Sequence, residues 1–393
     1  MTEPFLPYGR QEIDDHDVAA VVEALRDPFI TQGPRVDAFE RAFADAHGAP
    51  HAVAFANGTA ALHAAAAAAG LGPGDEVLTT PLSFVASSNC ALFVGARPRF
   101  ADVDPHTANL DTARAVADGH ADGVKAVVAV SLAGLPVDLE PLQGLRDRGV
   151  AIIEDAAHAV GARRANEPVG AGGLADMTCF SLHPVKSMTT GEGGIVSTAS
   201  AELADALRTF RTHGIVRRSE PDDPLLGPWH YDIDTLGFNY RITDFQCALG
   251  LSQLERLPQW VAARNRIAAR YHELLGGTAG LQLPAEPRAG EVHGRHLFVV
   301  RFTEGARRRR AMFDALREVG VGTQLHYIPI PRHGLYRSLG YGDATMAELP
   351  EAQAYYEQAL SLPMFPGLTD GDVERVAREV RRLLQAPLTQ AIW

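Results

Sequence analysis

The stretch Ser181-Leu182-His183-Pro184-Val185-Lys186-Ser187-Met188-Thr189-Thr190-Gly191-Glu192-Gly193-Gly194 places a lysine in a loop between two short apolar runs, Met177–Ser181 and Gly194–Thr198. Lysine is usually a surface charge. A lysine held in a pocket among ring and phosphate ligands has a lowered pKa instead and can form a Schiff base. Two further stretches upstream bear on that choice. Ala151-Ile152-Ile153-Glu154-Asp155-Ala156-Ala157-His158 puts acids at the end of an apolar run, where open α/β sheets bind their ligands. Such a carboxylate serves either as a helix cap or as partner to a cationic ring nitrogen. Val53-Ala54-Phe55-Ala56-Asn57-Gly58-Thr59 runs from a strand through a small turn into an alanine-rich helix. Its first amides are free to bind a phosphate; the plainer alternative is a helix start capped by Asn57 or Thr59.

Outward from these stretches, short apolar runs recur at residues 52–56, 76–80, 99–103, 126–131, 150–155, 177–181 and 194–198. Several are apolar throughout, as strands buried on both faces are. Helical stretches such as 58–69 and 139–148 separate most of them, so the spacing predicts an α/β domain with a largely parallel sheet. A glycine-rich loop joins the last two, which predicts a mixed sheet. Ahead of this domain, Val18, Val21, Val22 and Leu25 mark a helical stripe, ended by Pro28. Val36, Phe39 and Phe43 mark a second. Beyond residue 240 the pattern predicts helices over 245–257 and 261–275 with Pro258 between them. Strands follow over 297–302 and 321–327. Met312, Phe313, Leu316 and Val319 line a helix, and a last helix is capped by Thr369 with Asp372. The expected division is an N-terminal arm and large α/β domain over 1–260 and a smaller α+β domain over 261–393.

Taken together, a phosphate-binding helix start, then an aspartate, then a lysine about thirty residues later resembles the order found in pyridoxal phosphate enzymes of the aspartate aminotransferase fold. The segments ANGTAALHAA, GPGDEVLTTPLSFVASSN, IIEDAAHAVGA, CFSLHPVKSMTTGEGGIVST, FNYRITDFQCALGLSQLERL, GTQLHYIPI and SLPMFPGLT resemble the DegT/DnrJ/EryC1/StrS sugar aminotransferases over essentially the whole chain. HPVK-x2-TTGEGG, NYRITD-x-Q-x-ALG-x-SQL and HYIPI are most similar to the subgroup that aminates C4 of a UDP-4-keto-6-deoxy-N-acetyl-hexosamine. That subgroup makes the pseudaminic acid precursor UDP-4-amino-4,6-dideoxy-N-acetyl-β-L-altrosamine.

The resemblance implies pyridoxal 5′-phosphate held covalently on Lys186, with pyridoxamine phosphate as its second form. Asp155 would pair with the pyridine nitrogen. Gly58, Thr59 and Ser181 would hold the phosphate, with Phe84 on one ring face and His158 near the other. Asn239 would reach the phosphate of a neighbouring subunit's cofactor, making the active unit a homodimer. Tyr8, Phe29, Ile30, Thr31, His326 and Tyr327 resemble substrate-contacting positions, and Arg241 one that meets a nucleotide diphosphate. L-glutamate would be the amino donor and a nucleotide-linked 4-keto-6-deoxy sugar the acceptor. Relatives often carry Gln at position 158 and Phe at 182, where this chain has His158 and Leu182. A few relatives replace the lysine with histidine and act as dehydratases, but Lys186 is intact. Alternatives within the fold are an aminotransferase on a dTDP- or GDP-linked or 3-keto sugar. A non-catalytic cofactor-binding regulator would be expected to carry a helix-turn-helix extension, and none is visible.

Composition narrows the partners. The 36 Lys+Arg against 48 Asp+Glu leave a formal charge of −12, which argues against general nucleic-acid binding. Three scattered cysteines are no disulfide scaffold and point to a reducing compartment. The opening residues lack a basic region followed by an apolar core, and no apolar run is long enough to span a bilayer. A cytoplasmic protein without membrane contact is expected. The glycine run at 170–175 fits G-x-G-x-x-A but reads as a turn, because no good strand precedes it. The basic run 307–310 reads as a solvated face. His293 and His296 lack Cys or acid partners, and no metal site is expected.

Overall fold

The computed structural model describes residues 4–217, 227 and 229–386. Seven strands form the central sheet: β1 (His51–Phe55), β2 (Glu76–Thr79), β3 (Arg97–Phe100), β4 (Ala126–Val130), β5 (Ala151–Asp155), β6 (Met177–Ser181) and β7 (Gly194–Thr198). Their order across the sheet is β1-β7-β6-β5-β4-β2-β3. The pairings among β2, β3, β4, β5 and β6 are all parallel. β7 runs antiparallel to both of its neighbours, β1 and β6. Each expected apolar run is therefore a strand, and the mixed character enters at the strand that follows the glycine-rich loop. β3 begins two positions ahead of the expected run, where Arg97 and Pro98 pair with Glu76 and Val77.

Side chains alternate between two covered faces. Val53, Phe55, Val128, Ile153 and Val196 pack under the helices Gly58–Ala68 and Ala201–Arg211. Ala52, Ala54, Phe180 and Ile195 pack on the other face with Phe39 and Phe43 of the helix Pro34–His47. Covering on both faces explains why apolar residues occupy successive positions of several of these strands instead of alternating. The small side chains of Ala60, Ala61, Ala64 and Ala65 are buried, so the helix that starts at Gly58 lies close against the sheet.

Three expectations change. The two helices predicted around Pro258 are one, Asp244–Leu275, of 32 residues with Pro258 inside it. Proline removes one backbone donor and crowds the preceding turn. Pro258 itself is exposed, while Leu257 and Val261 beside it are buried and hold the helix on both sides of it. The expected domain boundary at 260/261 falls within this helix. The stretch 321–327 is not a strand. It makes only single bridges, Leu6 to Val321 and Gln324 to Ser361.

The third change concerns the first helix, Asp15–Ala24, whose apolar stripe faces outward. Val18, Val22 and Leu25 are exposed, and Asp17 is buried. The helix docks through that carboxylate, which accepts from Ser252 Oγ at 2.7 Å and Gln253 Nε2 at 2.6 Å and pairs with Arg256. Periodicity located the helix, but a buried polar contact chose its inward face.

A three-stranded sheet beyond it is antiparallel, with β8 (Leu281–Gln282), β9 (Phe298–Phe302) and β10 (Ala359–Leu362). Phe298, Val300, Leu360 and Leu362 pack with Val373, Val376 and Val380 of the helix Asp370–Leu384. That helix carries the expected capping box between Thr369 and Asp372. The glycine run at 170–175 is a turn, with Gly170 and Gly172 at positive φ. Among the described residues, no helix is long and apolar enough to cross a membrane.

Candidate active site

A cavity of about 680 Å3 opens at the carboxyl ends of β1, β5 and β6. Parallel strands bring their C-terminal ends together with the N-termini of the following helices, so ligands collect there. Tyr8, Gly58, Thr59, Phe84, Asp155, His158, Ser181, Lys186, His326 and Tyr327 all line it. These residues are far apart in the chain, and the sheet order alone makes them neighbours.

At one end, Asn57 caps the helix Gly58–Ala68 by accepting from Ala60 N–H at 2.8 Å. The amides of Gly58 and Thr59 have no intrahelical acceptor, as in the first turn of any helix. A Cβ added to Gly58 would meet the Ser181 Cβ at 2.9 Å, so glycine is what lets the helix start sit against the end of β6. The Asn57 cap is present, and it leaves room for the anion-binding role as well, because Asn57 takes one amide and leaves the two ahead of it without a partner in the helix.

Asp155 ends β5 and is 4% exposed. Its Oδ1 accepts from Ala157 N–H at 3.1 Å and its Oδ2 from Ser87 Oγ at 2.5 Å. Burial pushes its carboxyl above the ordinary range, while the Ser87 and Ala157 donors and the nearby Lys186 ammonium act against that. Lys186 follows β6 in a loop with few degrees of freedom. Leu182 N–H donates to Gly193 O at 2.8 Å, Thr189 Oγ1 to Leu182 O at 2.9 Å and Thr190 Oγ1 to Glu192 O at 2.7 Å. Gln246 Nε2, from the long helix, donates to Glu192 O at 2.8 Å. The hydroxyls flanking the lysine in sequence are thus the ties that hold its loop. Burial pushes the Lys186 ammonium down to about 8, opposed by Asp155.

His158 has a defined tautomer. Ala133 N–H donates to its Nδ1 at 3.2 Å, so that nitrogen carries no proton. Burial, with Lys186 and His326 nearby, holds the ring far below the usual histidine range and therefore neutral. The single proton lies on Nε2, 3.1 Å from Tyr327 Oη. Tyr327 accepts that bond and keeps its own hydrogen to donate into the cavity. His326 is also neutral, pushed down to about 3 by burial and Lys186, with Nδ1 2.8 Å from Ser361 Oγ. His296, set aside in the sequence for want of metal-ligating partners, lies against His158 with ring centroids 4.4 Å apart and lines the cavity. Only the return of the loop before β9 to the 133–134 turn, where Gly294 N–H donates to Gly134 O at 2.8 Å, reveals it. Ser83 and Ser87 also go unmarked in the sequence, because serines in a helix-start segment read as ordinary capping residues.

Phe29, Ile30, Thr31, Asn239 and Arg241 do not line this cavity. Residues 29–31 are tied instead to the start of the long helix, and Asn239 bridges Thr212. Thr31 bridges Thr243, Asp244 N–H donates to Ile30 O at 2.9 Å, and Asp244 accepts from Gly33 and Arg35 amides at 2.9 and 3.0 Å. Phe29, Ile30, Thr31 and Asn239 are exposed there.

The residues present fit a pyridoxal phosphate. The helix start and Ser181 offer donors for a phosphate, Asp155 an anion for a ring nitrogen, and Lys186 an amine for an aldehyde. Phe84 offers an aromatic ring that is 58% exposed at the cavity wall.

Comparison with known proteins agrees with this reading. The profile of the DegT/DnrJ/EryC1/StrS aminotransferase family matches residues 11–381. The spore coat polysaccharide biosynthesis protein SpsC of Bacillus subtilis (strain 168) is 37% identical over 386 residues, covering 97% of each chain. The PLP form of the putative sugar aminotransferase Spr1654 from Streptococcus pneumoniae superposes with a TM-score of 0.89 at 27% identity, covering 97% of this chain and 99% of that one. Helicobacter pylori PseC, an aminotransferase involved in pseudoaminic acid biosynthesis, superposes with a TM-score of 0.88 at 29% identity over 97% and 99% of the two chains. The chain belongs to the DegT/DnrJ/EryC1/StrS aminotransferase family and is a pyridoxal 5′-phosphate-dependent aminotransferase.

Proposed function

We propose that the protein moves the amino group of L-glutamate to C4 of a nucleotide-linked 4-keto-6-deoxy sugar, with a UDP-4-keto-6-deoxy-N-acetyl-hexosamine as the leading acceptor. The observation that carries this reading is the cavity itself. Its volume of about 680 Å3 falls within the ~300–1,000 Å3 of pockets that bury a drug-sized ligand. Beyond Lys186 and Asp155 its wall continues through Tyr8, Phe93, His183, Glu192 and Tyr240, which leaves room for a sugar ring. The names of SpsC and PseC, one tied to a polysaccharide and one to an amino sugar, support a sugar acceptor.

The cofactor supplies an electron-accepting ring. The chain supplies the rest. Helix-start amides, Thr59 and Ser181 bind its phosphate, and Asp155 keeps its ring nitrogen protonated. Lys186 Nζ, freed by the incoming amine, would take the proton from the carbon that bears the amino group and deliver it to the cofactor carbon that the lysine had held. An amine pushed down to about 8 suits that exchange near neutral pH.

The test is a panel. Purified enzyme, L-glutamate and UDP-, dTDP- or GDP-linked 4-keto-6-deoxy sugars are compared for amine formation by mass spectrometry. The UDP-N-acetyl-hexosamine series is expected to turn over fastest. A preference for a non-UDP sugar overturns the acceptor, and turnover of none overturns the enzyme reading in favour of a cofactor-binding regulator.

The lowered Lys186 value has a further consequence. Only the neutral amine attacks an aldehyde, so apoprotein should take up pyridoxal phosphate faster as pH rises, levelling off above about 8. Stopped-flow absorbance measures this. A midpoint near the ordinary lysine value would mean that burial does not act on Lys186.

We also propose a homodimer with shared sites, in which Asn239, Phe29, Ile30, Thr31 and Arg241 of one protomer complete the cavity of the other. The exposure of Asn239, Phe29, Ile30 and Thr31 outside their own cavity supports this, as do the uncovered Val18, Val22 and Leu25. If Asn239 acts across the interface, mixing Lys186→Ala and Asn239→Ala chains should restore activity. Random pairing makes half of the dimers mixed, each with one intact site of two, giving about a quarter of wild-type activity. No gain over the separate variants would refute the shared site.

A further inference from the structure

Asp155 is the end of a hydrogen-bonded chain that begins at the cavity wall. Ser83 lines the cavity, and its Oγ lies 2.7 Å from Ser87 Oγ, which lies 2.5 Å from Asp155 Oδ2. Ser83, Ser87 and Asp155 are 4%, 1% and 4% exposed. Ser87 belongs to the helix Ala86–Phe93. A serine so placed commonly bonds a carbonyl of its own turn, and Phe84 O is within reach at 3.2 Å. The shorter contact goes instead across the fold to β5.

The direction of the chain follows from proton counting. An ionised carboxylate only accepts, so the one hydroxyl hydrogen of Ser87 is committed to Asp155. Ser83 must then donate to Ser87, and both dipoles point at the carboxylate. Dipoles aligned in this way strengthen one another in a low-dielectric interior. Ala157 N–H occupies the other oxygen. Each oxygen therefore has one fixed donor that sets the plane of the group, and each keeps a lone pair for a further partner.

We propose that Ser87, backed by Ser83, is a positioning residue that holds the Asp155 carboxylate in plane and ready for a pyridinium N–H in the cavity. The inference rests on Asp155 being the partner of the ring nitrogen. Without the Ser87 hydroxyl, Asp155 loses a donor to its charged form while staying buried. It then turns away or takes up a proton, and a ring nitrogen facing it holds its own proton less firmly. Ser87 touches neither substrate nor cofactor, so its action is read through Asp155.

The experiment follows the ring nitrogen directly. Holoenzyme is reconstituted with 15N-labelled pyridoxal phosphate, and the 15N resonance is titrated against pH in wild type, Ser87→Ala, Ser87→Thr and Asp155→Asn. Cofactor affinity is measured alongside by fluorescence titration of the apoproteins. In Ser87→Ala the resonance should move toward the unprotonated position, with its transition at lower pH than in wild type. Cofactor affinity and kcat should each fall about tenfold to a hundredfold, the effect of losing one hydrogen bond to a charged group, with the KM for glutamate little changed. Ser87→Thr keeps the hydroxyl and should give the wild-type resonance. A shifted resonance in Asp155→Asn with a wild-type resonance in Ser87→Ala overturns the proposal for Ser87. A wild-type resonance in Asp155→Asn overturns the role of Asp155 itself. Should Ser87→Ala fail to fold, Ser83→Ala is read the same way, with a smaller shift of the same sign expected and no shift counting against the chain.

Discussion

Replacing Lys186 with alanine is expected to abolish the visible absorption of the lysine-bound cofactor and to lower amine transfer by at least about 10⁴-fold, the upper end of what one positioned acid–base group contributes. Two functions are lost together. The amine that forms the covalent link is gone, and so is the base that carries the proton between carbons. The cavity offers no ready substitute. His158 and His326 are neutral, and His158 has one nitrogen bonded to Ala133 N–H and the other engaged with Tyr327. The variant should still bind pyridoxal phosphate without covalent attachment, because the helix-start amides, Ser181 and Asp155 are untouched. Added methylamine should restore part of the proton transfer, since a small amine can enter the space left by the side chain. Spectra before and after borohydride reduction, with single-turnover assays, test this. A variant that keeps a reducible covalent adduct would transfer the Schiff-base role to another residue.

Replacing Asp155 with asparagine should preserve shape and remove the charge. Asparagine can still accept from Ala157 N–H or Ser87, so the end of β5 should remain in place. A neutral amide does not hold a proton on a ring nitrogen opposite it. The rate of proton removal should fall about 10²–10³-fold, the scale of losing one preorganised electrostatic contact to developing charge. The covalent link to Lys186 should form nonetheless. Its formation should shift to lower pH, because Asp155 opposes the effect of burial by favouring the charged Lys186 ammonium; removing that charge lets burial act alone, and the amine becomes neutral at lower pH. The two trends are separable. Uptake of cofactor by the apoprotein reports the free amine and should move to lower pH, while the absorption of the assembled enzyme reports the ring and should titrate differently from wild type. An isotope effect on glutamate Cα–H that is unchanged, with an unchanged rate, would show that Asp155 does not support the electron-accepting ring.

Much of this site was legible because its chemistry sits in short continuous stretches. The turn Asn57-Gly58-Thr59, the strand end at Asp155 and the loop at Lys186 each combine a strand, a bend and a reactive or anion-binding group within a few residues. Local rules suffice for such units. The strands were legible for a related reason: burial on both faces favours runs of apolar residues, and that pattern needs no knowledge of the neighbours. His296 was not legible. Its neighbour His158 lies in another part of the chain, and an isolated histidine before a strand has no local signature. Ser87 was hidden in the same way, since the bond that matters spans 68 positions.

The first helix shows the limit from the other side. Its apolar stripe was correctly placed along the chain, yet the stripe faces away from the body of the protomer. Asp17 reaches Ser252, Gln253 and Arg256 only after the long helix has formed, and those paired groups outweigh the usual preference for apolar contact. Pro258 likewise signals a helix end in isolation, and the helix continues because buried contacts, Leu257 and Val261 among them, hold both sides of it.

By itself, the sequence determined the α/β class, the seven strands, the family and the stretches that bring Lys186 and Asp155 to the cavity. Each of these depends on periodicity or on residues adjacent in the chain. Tertiary structure alone decided which serines hold the aspartate, which nitrogen of His158 bears the proton, which face of the first helix is buried, and that Phe29, Ile30, Thr31, Asn239 and Arg241 lie apart from their own cavity. These depend on hydrogen-bond direction and on contacts between distant segments. Such contacts are made only when the sheet order brings strand ends together, and one segment cannot encode the geometry of its partner.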